Sequence, residues 1–158
     1  MATEFDHDMA VCIAKALPDR PLYVDIRIGS KLDAFCTAHG KLWLAHMSKT
    51  DQDRYFAKAD LTGMTDHTIT DVNALKTELH HIRDTGYATN NGEREHDIYA
   101  IAVPILTRHG NMVSAFSVFG ASPSTLQTHR DRLLESLKTA ATTAQNSLYG
   151  ADNTDSAD

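Results

Sequence analysis

Apolar positions along the chain follow two periods. Val72, Leu75, Leu79 and Ile82 are spaced by three and four, which makes one stripe of an amphipathic helix. Asp71 stands where an N-cap belongs, Arg83 suits the C-terminal end of the dipole, and Gly86 falls where a helix cap needs positive φ. Residues 9–16 are mostly apolar and form the first predicted strand. Residues 22–28 alternate and are rich in β-branched side chains, a second strand, and residues 17–21 form the proline-marked turn between them.

Residues 29–35 read as a connecting loop, and 37–47 as a short helix of small residues carrying Trp43. A helix follows over 51–59, capped by Ser48 or Thr50, with Tyr55 and Phe56 as its apolar face. Residues 61–70 are loop-like. A strand starts at 87–89, and Asn90-Asn91-Gly92 is a turn signal. Residues 98–106 and 112–119 are strong strands joined by a hairpin loop at 107–111. Pro104 confines its position to an edge or a bulge. The sheet ends over 120–124. A long helix runs over 125–148, with Leu126, Leu133, Leu137, Ala141, Ala144 and Leu148 near one face. The order of elements and the short hairpin loops predict an α+β domain, with a mainly antiparallel sheet flanked by helices.

Composition narrows the function classes. The 158 residues, 42% hydrophobic and 23% charged, suit one globular domain with a sizeable core over residues 1–150. Residues 151–158 are polar and acidic, which predicts a disordered tail. A net charge of −6 and scattered basic residues argue against a nucleic-acid surface. No apolar run reaches the roughly 18 residues of a membrane span, and the first ten residues lack the plan of a secretion signal. Cys12 and Cys36 are too few for a disulfide framework, so a reduced, cytoplasmic setting is expected.

Candidate reactive constellations are thin. Cys36, His39 and His46 fall near one helical face, but no further ligand completes a zinc set, and His80-His81 point apart. Glu93, Glu95, His96 and Asp97 read as a solvated polar loop. Cys36 with His39 is the one local nucleophile–base pair, without a strand–nucleophile–helix elbow around it. No phosphate-binding glycine loop occurs. Neither catalysis, a metal nor a cofactor is expected.

Several segments together resemble the effector domain of IclR-type transcriptional regulators. Gly29-Ser30-Lys31-Leu32 followed by Thr37-Ala38-His39-Gly40-Lys41 resembles that family's G-x-x-L…A-x-G-K/R segment. Thr68-Ile69-Thr70-Asp71 resembles its H-T-I-T-D link, and LHHIRDTGY ending at Tyr87 resembles its L-x-x-I-R-x-x-G-Y helix end. Ile101-Ala102-Val103-Pro104-Ile105 and AFSVFG ending at Gly120 resemble its two last strands. The N-terminal third departs from the pattern: Tyr23-Val24-Asp25 runs almost directly into Ile28-Gly29-Ser30, as if one strand were shortened or fused.

The resemblance implies a GAF-like fold, a small organic acid as effector, and self-association as a dimer or tetramer. From the charge and the apolar run lengths above, no direct nucleic-acid contact by this chain and no membrane partner are expected. The family's winged helix-turn-helix domain is not expected here, so the chain is either an excised part of a regulator or a stand-alone sensor. The implied ligand-binding residues are Leu32, Ala38, His39, Asn90, Ile98, Ala100, Ser117 and Phe119. Amides at Ala38 and His39 would hold a carboxylate at a helix start. His39 replaces a small residue and either adds a donor or fills space; the plain alternative is a solvent-facing helical histidine. Asn90 offers a donor and an acceptor, or is simply a turn residue. Phe119 stands where many members carry a second serine, which makes the pocket more apolar or smaller. The alternatives are an oligomerisation module that no longer senses a ligand and, more remotely, an enzyme on the same scaffold.

Overall fold

The computed structural model describes residues 1–16 and 26–150. Six strands form one antiparallel sheet in the order β3-β2-β1-β6-β5-β4. They are β1 (Ala2–Asp6), β2 (Met9–Ala14), β3 (Lys31–Asp33), β4 (Ala88–Asn91), β5 (Tyr99–Leu106) and β6 (Met112–Gly120). The helices are α1 (Ala38–His46), α2 (Lys49–Phe56), α3 (Val72–Thr85), α4 (Ser124–Gln127) and α5 (Arg130–Tyr149). The architecture is the expected α+β one.

Strand β5 explains its own near-continuous apolar run, because both of its faces are covered. Ile101, Val103 and Ile105 pack with Leu137 and Ala141 of α5 on one side. Ala100 and Ala102 pack on the other with Leu42 of α1 and with Leu75, Leu79 and Ile82 of α3. The alternation of side chains along a strand divides them this way. Pro104 lies past the end of β4, whose last pair is Ala88 with Ala102, so its missing N–H interrupts no ladder on that side.

Helix α3 follows its sequence signals. The Asp71 side chain accepts from Ala74 N–H, and Gly86 closes the helix at φ 74°. Ser48, not Thr50, caps α2 by accepting from Asp51 N–H.

The structure differs from the sequence reading at five places. Strand β1 precedes the first predicted strand; it is short and partly charged, and it is held by β2 on one edge and β6 on the other. Residues 31–33, within the expected loop, form edge strand β3 by pairing with β2. Asn90 and Asn91 belong to β4, so the turn begins only at Gly92, at φ 71°. The final helix is interrupted at Thr128 and His129, whose N–H groups both go to Ser124 O, and Leu148 is exposed. The second predicted strand and the compressed N-terminal segment fall mostly on residues 17–25, outside the described residues, as does the tail. Residues 26–28, which are described, are not in a strand.

Candidate functional site

Helix α1 is buried on nearly all sides, between the sheet and α3. Two constraints put it there. Thr37 caps it, accepting from Gly40 N–H at 3.1 Å while donating to Asp33 O at 2.7 Å. A Cβ on Gly40 would lie 2.3 Å from Ala34 Cα, so only glycine lets the first turn sit against the preceding segment. The first-turn amides of Ala38 and His39 have no acceptor within the helix, as in any α-helix.

Beside this helix start is a narrow cavity of about 40 Å³, room for two or three waters. Register builds its far wall. Asn90 of β4 pairs with Ala100 of β5, which pairs with Phe119 of β6, so the three form a row across adjacent strands. Ile98 precedes β5, and Leu32 comes from β3. Seven of the eight sequence-derived residues therefore line one cavity: Leu32, Ala38, His39, Asn90, Ile98, Ala100 and Phe119.

Ser117 does not line it. It stands behind His39, accepting from or donating to Nε2 at 2.6 Å through its hydroxyl. His39 is 2% exposed, so it is not a solvent-facing histidine. Its Nδ1 lies 2.7 Å from Thr3 Oγ1, which also accepts from Trp43 Nε1. The indole can only donate, so the Thr3 hydroxyl keeps its own proton and a second lone pair for the imidazole. With a hydroxyl on each side, both neutral tautomers of the imidazole are fully hydrogen-bonded. Burial, reinforced by the nearby N-terminal ammonium, pushes the His39 pKa down to about 3. His39 is a neutral tie between α1, β1 and β6, with both ring nitrogens already used.

The loop after β4 contributes what sequence reasoning missed. Arg94 lines the cavity and donates through Nε to Asp33 Oδ2 at 3.0 Å and through Nη1 to Glu95 Oε1 at 2.8 Å. Its Nη2 has no acceptor among the described residues. Arg94, Glu95, Leu32, Ile98 and Ile26 also border a wider outer groove, so they form the doorway between groove and cavity. Glu93, expected in a solvated loop, is 5% exposed and accepts from Lys41 Nζ at 2.6 Å, with Lys41 itself 1% exposed. The same lysine reaches Glu78 at 3.3 Å, and Glu93 N–H donates to Asn90 Oδ1 at 2.8 Å. This chain of contacts fixes Asn90 and the doorway loop against α1. The one available signal was a lysine, the one formally charged residue, on an otherwise small and largely apolar helix.

The reactive constellations considered from sequence come apart. Cys36 Sγ contacts Met64 Sδ at 3.9 Å, and burial pushes its thiol up to about 12, the opposite of an activated nucleophile. His39 faces Thr3 and Ser117, and His46 Nδ1 bonds Leu42 O, so these two do not converge with Cys36 on a metal.

Comparison with known proteins agrees with this architecture. Residues 3–146 match the family model described as bacterial transcriptional regulator IclR C-terminal. The chain is 32% identical over 118 residues to the Pca regulon regulatory protein of Pseudomonas putida, covering 75% of this chain and 40% of that protein. It is 30% identical over 146 residues to the DNA-binding transcriptional repressor YiaJ of Escherichia coli strain K12, covering 90% of this chain and 52% of YiaJ. It therefore spans about half the length of the curated relatives it matches, or less. Its fold is similar to the PobR transcription factor inducer-binding domain from Acinetobacter, a double mutant in complex with 3-hydroxybenzoic acid. That match has a TM-score of 0.81 at 27% identity, covering 92% of this chain and 86% of that one.

Proposed function

Because the chain belongs to the C-terminal domain family of bacterial IclR transcriptional regulators, we propose that it is the effector-sensing part of such a regulator. A small organic acid binds between the start of α1 and strands β4–β6, and catalysis is no part of its role. The observation that carries this reading is the convergence of Leu32, Ala38, His39, Asn90, Ile98, Ala100 and Phe119 on one cavity with Arg94 at its doorway. Apolar walls accept a hydrocarbon or aromatic body. The free edge of the guanidinium and the first-turn amides of α1 accept a carboxylate. His39, held neutral, adds no charge of its own to the wall.

At about 40 Å³ the cavity is smaller than an aromatic acid. Binding therefore requires the doorway residues or Phe119 to move, and the displaced loop is the one tied by Glu93 to Lys41 of α1. Ligand entry and the position of α1 are coupled through that pair, which gives the acid two states to discriminate. In a full-length regulator such a difference, passed through a dimer or tetramer, would alter operator affinity.

Thermal unfolding against hydroxybenzoates, oxoacids and sugar acids tests the reading, with the neutral amide of each acid as a control. At 100 times its Kd a ligand of the folded state raises Tm by about 5–10 °C. Arg94→Gln should weaken acid binding about 10- to 100-fold, the worth of a charged hydrogen bond. An equal shift by acid and amide, or unchanged affinity in the variant, would refute the role of Arg94. No shift by any acid would refute acid sensing at this cavity.

A further inference from the structure

We propose that Asp66, His67 and His96 form a binding site for a divalent cation of the zinc class, at the edge of the outer groove. The three residues come from two segments far apart in sequence, and their ligand atoms lie within 4.8 Å of one another. Asp66 Oδ1 is 3.3 Å from His96 Nδ1 and 3.8 Å from His67 Nε2. In a tetrahedral zinc site with bonds of about 2.0–2.1 Å, neighbouring ligand atoms stand about 3.3 Å apart. One edge of the triangle already has that length. Small rotations of exposed side chains close the others, and the two imidazole rings, 6.2 Å apart and nearly perpendicular, do not stack in the way.

The backbone under the site is held, so its ligands are not merely neighbours on mobile loops. Thr65 Oγ1 donates to Gly92 O at 2.7 Å, and Thr68 Oγ1 donates to Glu93 O at 2.5 Å. Thr65 Oγ1 in turn accepts from His67 N–H. Gly92 N–H goes to Ile98 O, which closes the loop that carries His96. At Gly92 the two segments meet: a Cβ there would lie 2.9 Å from His96 O and 3.6 Å from His67 Cδ2. Two imidazoles and a carboxylate suit zinc, with a fourth position left for water or a ligand carboxylate. His96 also lines the outer groove, so the bound cation would add positive charge near the doorway at Arg94. The inference stands apart from acid binding, since the site uses none of the cavity residues.

The test uses untagged protein, zinc ion and a buffer that does not chelate it. Calorimetric titration should show one saturable site, and cobalt substituted for zinc should give the visible absorption of a low-symmetry four-coordinate ion. His67→Ala and His96→Ala should each weaken binding at least tenfold, and zinc should raise the Tm of the parent chain more than that of either variant. All three ligands are more than half exposed at the side chain, so the variants keep the parent Tm without metal. His80→Ala with His81→Ala, an exposed pair elsewhere, should leave the affinity unchanged. The proposal is overturned if no saturable binding appears, if the His67 and His96 variants bind as the parent does, or if the His80–His81 variant loses the site.

Discussion

Burial of His39 as a neutral imidazole makes the stability of this domain depend on acid in a calculable way. Its pKa falls from 6.5 to about 3 on folding, chiefly through desolvation. Between those values the unfolded chain carries a proton at His39 that the folded chain does not. Unfolding therefore takes up a proton, and stability falls as pH falls. The contribution is fully present above pH 6.5 and is lost progressively down to about pH 3, where the loss amounts to about 5 kcal/mol at 1.36 kcal/mol per unit. At pH 4.5 the loss is about 3 kcal/mol, a large fraction of the stability of a typical domain. Stability depends on pH through more than one group, so the measurement is a difference. Urea unfolding is followed at pH 7, 6, 5 and 4.5 for the parent and for His39→Gln, which keeps a donor and an acceptor without a titrating group. The parent should lose about 3 kcal/mol more than the variant over that range. A gap that stays constant within about 0.5 kcal/mol, the scale on which independent effects add, would show that His39 is accessible to protons in the folded state and would refute the burial argument.

Three further outcomes follow from buried contacts. Lys41→Met leaves Glu93 in the interior without its cation, beside an Oε2 that already lacks a partner, and should cost about 3–5 kcal/mol in urea unfolding. Adding Glu93→Gln should recover a good part of that loss; a double variant no better than the single one would contradict the pairing. Gly40→Ala drives a methyl into Ala34 backbone atoms at 2.3–2.7 Å, so it should destabilise by about 3 kcal/mol or more, measurable as a lowered Tm. Cys36, with its thiol held up to about 12 and no exposed surface, should react with an aromatic disulfide reagent at pH 8 about a thousandfold more slowly than free cysteine, and only unfolding should release it.

Elements with a strong local signal were legible from residue order alone. The cap at Asp71, the stripe of α3 and the left-handed Gly86 specify one helix because each acts within a few residues. The apolar runs of β5 and β6 specify a hairpin for the same reason. Most of the cavity wall was legible too, through the resemblance of its motifs, since Asn90, Ala100 and Phe119 keep their register wherever those strands pair. Only the tertiary structure decided the rest. Strands β1 and β3 are short and weakly patterned, and they exist because other strands supply their hydrogen bonds. Lys41 and Glu93 are ordinary surface residues by type, yet they are buried because each neutralises the other across 52 positions of chain. Arg94 meets Asp33 and the cavity, and His96 meets Asp66, through loop closures that leave no period in the sequence. Local periodicity reports which face of an element is buried. The identity of the group waiting on the other side is set by folding, because it comes from a distant part of the chain.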